Sequence, residues 1–385
     1  MNIAISAIGR YHMADLARQM LRLGQGVEVY TGNPKSHFDK DLHSHTHTFP
    51  YFHILTLLRG RIPPAPRTTW WHDRDMDSLG RWLARAVDPD TTDILDGLEG
   101  LGPACGRLMK ARGKAWICNI ATCHILDRVA LGEEYRHWGA KAPKWSEANV
   151  NRVLAEYAES DALVVPSEFV RRSFLDRGVS SDRLRVCSYG VDTSMYQPVG
   201  KGDSKFRVLF VGSASITKGI GYLFDALRPL VEKNQCELWL VGAIEGAVKG
   251  LLEKNRDIFV YKGIVPRAEL SGIYSQGSVL VLPSVQEAFG MVQAQAMACG
   301  LPVIATTNTG APNLFSDGIE GFIVPARNSL AIRNQIKWMI DHPNERAQMG
   351  NAAMRRIKEL GGWDHYGEQC LAVYREVLAR KHITA

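Results

Sequence analysis

Three side chains frame the chemistry open to this sequence: Glu287, Gln295 and Lys218. Glu287 follows the apolar run Val279–Leu282, in the loop Pro283-Ser284-Val285-Gln286-Glu287-Ala288-Phe289. That loop leads through Gly290 into a helix of small and apolar residues, which stops at Gly300 before Pro302-Val303-Ile304 opens the next strand. In an open parallel sheet, ligands sit at the carboxyl ends of strands, against helix N-termini. If the helix begins near Gly290, Gln295 lies about 7–8 Å along its axis. A phosphate at the helix N-terminus would then have Glu287 on one side and Gln295 on the other. A carboxylate beside a phosphate is repulsive unless it accepts hydrogen bonds from sugar hydroxyls or faces positive charge at an anomeric carbon. Gln295, flanked by Ala294, Ala296 and Met297, reads as a buried amide that needs a partner, and ribose hydroxyls would suit it. The plainer reading is a capping glutamate and a solvated glutamine.

Lys218 closes the turn Gly212-Ser213-Ala214-Ser215-Ile216-Thr217-Lys218-Gly219, between a strand and a helix. Such a turn cradles phosphate with backbone N–H groups and a point charge, although a surface lysine in a βα loop reads the same way. His124 ends a first-half strand, so it can project into a cleft or sit in the core. Gly9 ends the first strand and suits close approach of backbone to ligand, or simply a βα turn. His43, His45 and His47 alternate and would share one strand face, with His53 nearby, but no carboxylate or cysteine stands at metal-ligand spacing. Asp73-Arg74-Asp75, with Asp77, precedes an amphipathic helix and reads as an acidic helix N-terminus.

The elements that must position these residues alternate β-α-β twice. Strands are expected at Ile3–Ile8, Val27–Tyr30, Ile94-Leu95, Ala115–Ala121 and Ala162–Val165. A second series runs through Lys205–Val211, Glu237–Val241, Ile258–Tyr261, Val279–Leu282 and Val303–Ala305. Residues 190–203, with Gly190, Pro198, Gly200 and Gly202, read as a linker. The expected architecture is α/β: two doubly wound, Rossmann-like domains, 1–195 and 203–362, facing across a cleft, with a final helix over 363–382 able to pack back on the first. The chain has 385 residues, 45% hydrophobic, which suits two domains. Its net charge of +6 permits an anionic substrate or membrane surface without calling for nucleic acid. Seven widely spaced cysteines without a C-x-x-C read as reduced core thiols of a cytoplasmic protein. No apolar run reaches membrane-spanning length. Residues 35–71 break the alternation: they are aromatic, basic and proline-containing, and long for a loop in a compact domain.

With these residues in place, the chain resembles family 4 glycosyltransferases of the GT-B fold. The likeness is strongest from Asp161 onward: Ala162–Glu168; Ser188-Tyr189-Gly190-Val191-Asp192 followed by Tyr196-Gln197-Pro198; Phe210-Val211-Gly212 through Lys218-Gly219; Glu287 to Gly300; and Gly310 with Gly321-Phe322-Ile323-Val324-Pro325. The resemblance implies retaining transfer of a hexose-type sugar from a UDP- or GDP-linked donor, with no metal and no cofactor beyond that substrate. Lys218, with Gly212 and Ser213, would face the donor diphosphate, as would the backbone of Gly290, Met291 and Val292, with Gly9 opposite. Glu287, with Ala288 and Phe289, would hold the donor sugar, Gln295 the ribose, and Ile264-Val265 the base. His124 would approach the reacting carbon.

Two departures stand out. Gln295 replaces the glutamate that completes the family's E-x7-E pair. Ser213 and Thr217 stand where the family often carries an arginine, so one phosphate-facing charge is missing: either the donor binds less tightly or another cation, such as Arg10 or Arg267, substitutes.

The expected acceptor is a glycan or lipid-linked glycan, as in polysaccharide, lipopolysaccharide or glycolipid assembly, at the inner face of a membrane. The segment Phe49–Trp71, with Tyr51, Phe52, Ile54, Leu57, Leu58, Arg59, Arg61, Trp70 and Trp71, mixes apolar anchors and cations as interfacial elements do. It reads equally as a half-buried loop. A nucleotide-sugar-binding protein without transfer, or another GT-B activity such as epimerisation or phosphorolysis, are the competing readings.

Overall fold

The computed structural model describes residues 1–8, 11–49, 69–200 and 202–384. Two all-parallel sheets carry the chain. The first has seven strands: β1 Asn2–Ala7, β2 Gly26–Thr31, β3 Thr46–Thr48, β4 Ile94–Leu98, β5 Ala115–Asn119, β6 Ala162–Val165 and β7 Leu184–Val186, in the order β3-β2-β1-β4-β5-β6-β7. The second has six: β8 Arg207–Val211, β9 Glu237–Val241, β10 Val260–Gly263, β11 Val279–Leu282, β12 Val303–Thr306 and β13 Gly321–Val324, in the order β10-β9-β8-β11-β12-β13. Central strands β4, β5, β6, β8, β11 and β12 are buried along their whole length. That is why β6 and β11 read as unbroken apolar runs rather than alternating ones, while β4 carries the buried Asp96.

Strand order reverses between β1 and β4 in the first sheet and between β8 and β11 in the second. Side connections leave a crevice at such a reversal, at the carboxyl ends of the strands. In the second sheet those ends are Val211 and Leu282, where the Gly212–Gly219 and Pro283–Gly290 loops emerge.

The two halves are joined by more than the linker. The final helix, Gly362–Thr384, buries Tyr366, Cys370, Tyr374 and Val377 in the core of the N-terminal half, against the helix Tyr11–Arg22. The Tyr374 hydroxyl donates to the buried Asp96 on β4 at 2.5 Å. Gly190 lets the linker run against the start of that helix, since a Cβ there would lie 2.1 Å from the Trp363 nitrogen. All seven cysteines are buried free thiols.

The expected histidine strand does not form. Residues Lys40–His45 are a 3-10 helix and only Thr46–Thr48 is strand. His43 bonds the Phe38 carbonyl, His45 the Val27 carbonyl and His47 the Glu28 carboxylate, so the three rings have separate partners. Asp73 and Asp77 lie within the helix Thr69–Ala86 and pair with Arg152. Most of the Phe49–Trp71 segment lies outside the described residues.

Candidate active site

The two loops at the β8/β11 reversal are fastened to each other. The Thr217 carbonyl accepts from Val285 N at 2.9 Å and from Gln286 N at 3.2 Å. Gly219 caps the helix Ile220–Val231 with φ 69, and a Cβ there would fall 2.0 Å from the Pro283 carbonyl oxygen. Gly290 caps the helix Met291–Ala298 with φ 81, where a Cβ would meet Leu282 at 2.6 Å and Gln293 at 2.7 Å. Both positions need left-handed backbone and have no room for a side chain. From the far side, Asn308 accepts from Glu287 N at 3.0 Å through its carbonyl, and its amide donates to Val285 O at 2.9 Å.

This fastening places Lys218 Nζ in an ion pair with Glu287 Oε2, both side chains largely covered. Burial pushes the Lys218 ammonium down to about 8, and the nearby Glu245 carboxylate pulls it back up. Contact with Glu287 favours the charged form too, so the lysine is a cation at neutral pH. Glu245 is itself pushed up by burial, while the Ser213 hydroxyl and Lys218 oppose that shift. The free amides at the start of the helix Met291–Ala298 add the positive end of a helix dipole. One cation, one helix N-terminus and two carboxylates therefore converge on the crevice. A dianionic group entering it would take over Lys218 and release Glu287 to accept from hydroxyls.

Gln295 is half-buried, and its Oε1 accepts from the Tyr274 hydroxyl at 2.8 Å. Its amide N–H groups have no hydrogen-bond partner among the described residues. Ile264 follows the edge strand β10 and is 77% exposed, and Val265 is partly buried next to it. Met291 and Val292 are half-buried. Phe289 is buried, its carbonyl accepts from Gly310 N, and its ring meets Tyr189 edge-on at 5.2 Å. The Ala288 carbonyl accepts from the Ser167 hydroxyl of the other half at 2.5 Å. Ala288 and Phe289 thus join the two halves and set the loop.

His124 is 3% exposed, between Tyr157 and Phe174, each about 5.0 Å away. Its Nδ1 accepts from Leu126 N as the cap of the helix Ile125–Val129, and burial pushes the imidazole down to about 4. The cap uses Nδ1 alone, and Nε2 takes no hydrogen bond from another described residue. Arg267 donates to the Tyr196 hydroxyl at 3.3 Å and stands beside Asp192, which engages it on the linker. Gly9 and Arg10 lie outside the described residues.

Sequence reasoning missed Glu245 and Tyr274. Glu245 had a usable signal: β9 pairs with β8, so the loop after β9 must run beside the Gly212 turn. Tyr274, on the helix Leu270–Gln276, reaches Gln295 only through tertiary packing and had none.

A model described as Glycosyltransferase Family 4 matches residues 10–195, and one described as Glycosyl transferases group 1 matches residues 205–342. The chain belongs to glycosyltransferase family 4. Its relatives include a D-inositol 3-phosphate glycosyltransferase of Acidothermus cellulolyticus, 25% identical over 97% of this chain and 86% of that one. Among solved structures, sucrose-phosphate synthase from Thermosynechococcus elongatus superposes with a TM-score of 0.74 at 20% identity, covering 99% of this chain and 100% of that one. Anabaena HepE in complex with UDP-glucose gives 0.68 at 17% identity, covering 99% and 100%. The family 4 chain therefore has the GT-B fold, with the Lys218–Glu287 crevice in its second domain. No described helix is long and apolar enough to cross a membrane.

Proposed function

We propose that this glycosyltransferase moves a hexose-type sugar, with retention of anomeric configuration, from a UDP- or GDP-linked donor to a glycan or lipid-linked acceptor. The observation that carries the reading is the Lys218–Glu287 ion pair at the strand-order reversal, beside a helix N-terminus. In this reading the donor diphosphate displaces Glu287 from Lys218. Lys218 and the amides of Met291 and Val292 then take up the negative charge that grows on the leaving diphosphate as the glycosidic bond breaks, in place of a metal ion. Glu287, freed, accepts hydrogen bonds from the sugar hydroxyls and keeps the ring oriented. The acceptor hydroxyl attacks from the face the diphosphate leaves, and its proton passes to a departing phosphate oxygen. Tyr274 turns Gln295 so that its amide donates to a ribose hydroxyl oxygen, and Ile264-Val265 offer an apolar wall to the base.

The nucleotide-sugar donor is supported by the Anabaena neighbour, which was solved with UDP-glucose. The acceptor is left at the level of a hydroxyl-bearing glycan or lipid-linked glycan. Slow hydrolysis of the donor without acceptor tests the reading: one UDP- or GDP-hexose should be consumed by the wild type and spared by Glu287→Ala. Tight binding of a nucleotide sugar with no turnover, with or without acceptor glycans, would instead indicate a binding protein.

A further inference from the structure

Part of the N-terminal half crosses to the C-terminal one. Between β5 and the helix Glu147–Glu159, Ile125 stays in the core of its own half. The helix Gly132–His137 and the residues after it do not. Tyr135 is buried in the same apolar cluster as Phe210, Ala214, Ile216 and Ile220, and Leu131, Trp138, Ala140 and Ala142 pack against that cluster. Trp138 seats on Gly221, where a Cβ would come within 2.6 Å of its ring, and meets Tyr222 edge-on at 5.0 Å. Glu134 is 7% exposed and fully engaged. Its Oε1 accepts from Trp138 Nε1 at 3.1 Å and from the Tyr222 hydroxyl at 2.8 Å, and its Oε2 accepts from Arg327 Nε at 2.6 Å. Arg327 sits in a turn with left-handed backbone, φ 62. Such strain persists only where its surroundings enforce it.

The parts of the C-terminal half that receive this arm are the ones that carry Lys218. Ala214 and Ile216 lie in the Gly212–Gly219 loop, and Ile220, Gly221 and Tyr222 form the first turn after it. The Tyr135 phenol also feels the charge of Glu245, which faces Ser213 and Lys218. A loop that grips a ligand through one cation gains most from a rigid support, because a misplacement of about 1 Å can cost a hundredfold in rate.

We propose that residues 131–142 are a positioning arm, through which the N-terminal half fixes the Lys218 loop, so that the donor diphosphate is gripped fully only while the two halves are docked. Glu134 and Trp138 are its positioning residues. The inference rests on the reading of Lys218 as the diphosphate cation. It makes donor affinity depend on a carboxylate of the other domain that touches no substrate.

A double-mutant cycle tests it, with UDP and GDP as titrants in calorimetry on the full chain. Lys218→Ala should weaken the preferred diphosphate. Glu134→Ala should weaken it about tenfold, and Glu134→Gln, which keeps the acceptor for Trp138 and Tyr222, should recover most of that loss. In the Lys218→Ala background, Glu134→Ala should have no further effect, because the arm acts through the lysine. Additive losses, or an unchanged affinity in Glu134→Ala, overturn the arm and leave the site standing. If Lys218→Ala binds as the wild type does, or the wild type binds neither diphosphate, the reading of the site fails and the arm with it. Should Glu134→Ala not fold, Tyr222→Phe removes one of the same hydrogen bonds and should cost about threefold, with the same coupling to Lys218.

Discussion

The protonation of Lys218 should set how donor capture varies with pH. Burial pushes its ammonium down to about 8 against the pull of Glu245. The charged fraction is then about nine-tenths at pH 7, half at pH 8 and a tenth at pH 9. If only the ammonium receives the diphosphate, kcat/KM for the donor should fall about tenfold between pH 7 and pH 9, since kcat/KM reports the free enzyme. In the donor complex the diphosphate adds negative charge beside the lysine, so the limb of kcat should lie at higher pH than that of kcat/KM. The groups facing Lys218 are Glu287, in contact, and Glu245. Glu245→Gln removes one upward influence and should move the limb to lower pH. Lys218→Arg replaces it with a cation that does not titrate in this range, and the limb should vanish whatever the residual rate. The assay is initial release of nucleoside diphosphate from the donor, from pH 6 to 10 at constant ionic strength. A wild-type kcat/KM that stays flat to pH 10, or the same limb in Lys218→Arg, would refute the argument.

Three substitutions separate the roles of other residues. Gly290→Ala places a Cβ at φ 81 against Leu282 and Gln293, and should cost about 1–3 kcal/mol in urea unfolding together with loss of diphosphate binding. His124→Ala empties a space between Tyr157 and Phe174 and removes a helix cap, so it should lower stability by about 2–4 kcal/mol. Nucleoside diphosphate binding should survive it, and a folded variant that has lost turnover at intact stability would restore the histidine to the chemistry. Gln295→Glu keeps the acceptor for Tyr274 and turns the atom proposed to meet the ribose from donor to acceptor. Discrimination between UDP and 2′-deoxy-UDP should therefore change in direction or size, whereas equal affinities for both in wild type and variant would remove Gln295 from the ribose.

The sheets were legible because parallel strands buried on both faces are largely apolar, as Val208–Val211 and Val279–Leu282 are. The loops that end them were legible for the same reason, since a glycine, a lysine or a glutamate is conspicuous after such a run. His124 was ambiguous because a strand-end histidine looks the same whether it faces a cleft or caps a short helix. The cap on Leu126 uses Nδ1 alone, so the two roles are compatible, and the ring's neighbours Tyr157 and Phe174 are distant in sequence. The alternation of His43, His45 and His47 carries the strand signature, yet Asp39 and Leu42 wind the chain there into a 3-10 turn. Glu134, Tyr135 and Trp138 carried no local mark at all. Their partners Tyr222 and Arg327 lie in the other half, and a contact between domains leaves no period in the sequence.

The most direct test of the central claim is proton NMR of the wild-type protein with UDP- and GDP-hexoses, following the anomeric signal of the sugar released to water or to an added glycan. The account predicts that one nucleotide sugar is consumed, that the first-formed product keeps the donor's anomeric configuration, and that Lys218→Ala and Glu287→Ala abolish the reaction. Turnover that persists in both variants, or a first product of inverted configuration, would contradict it.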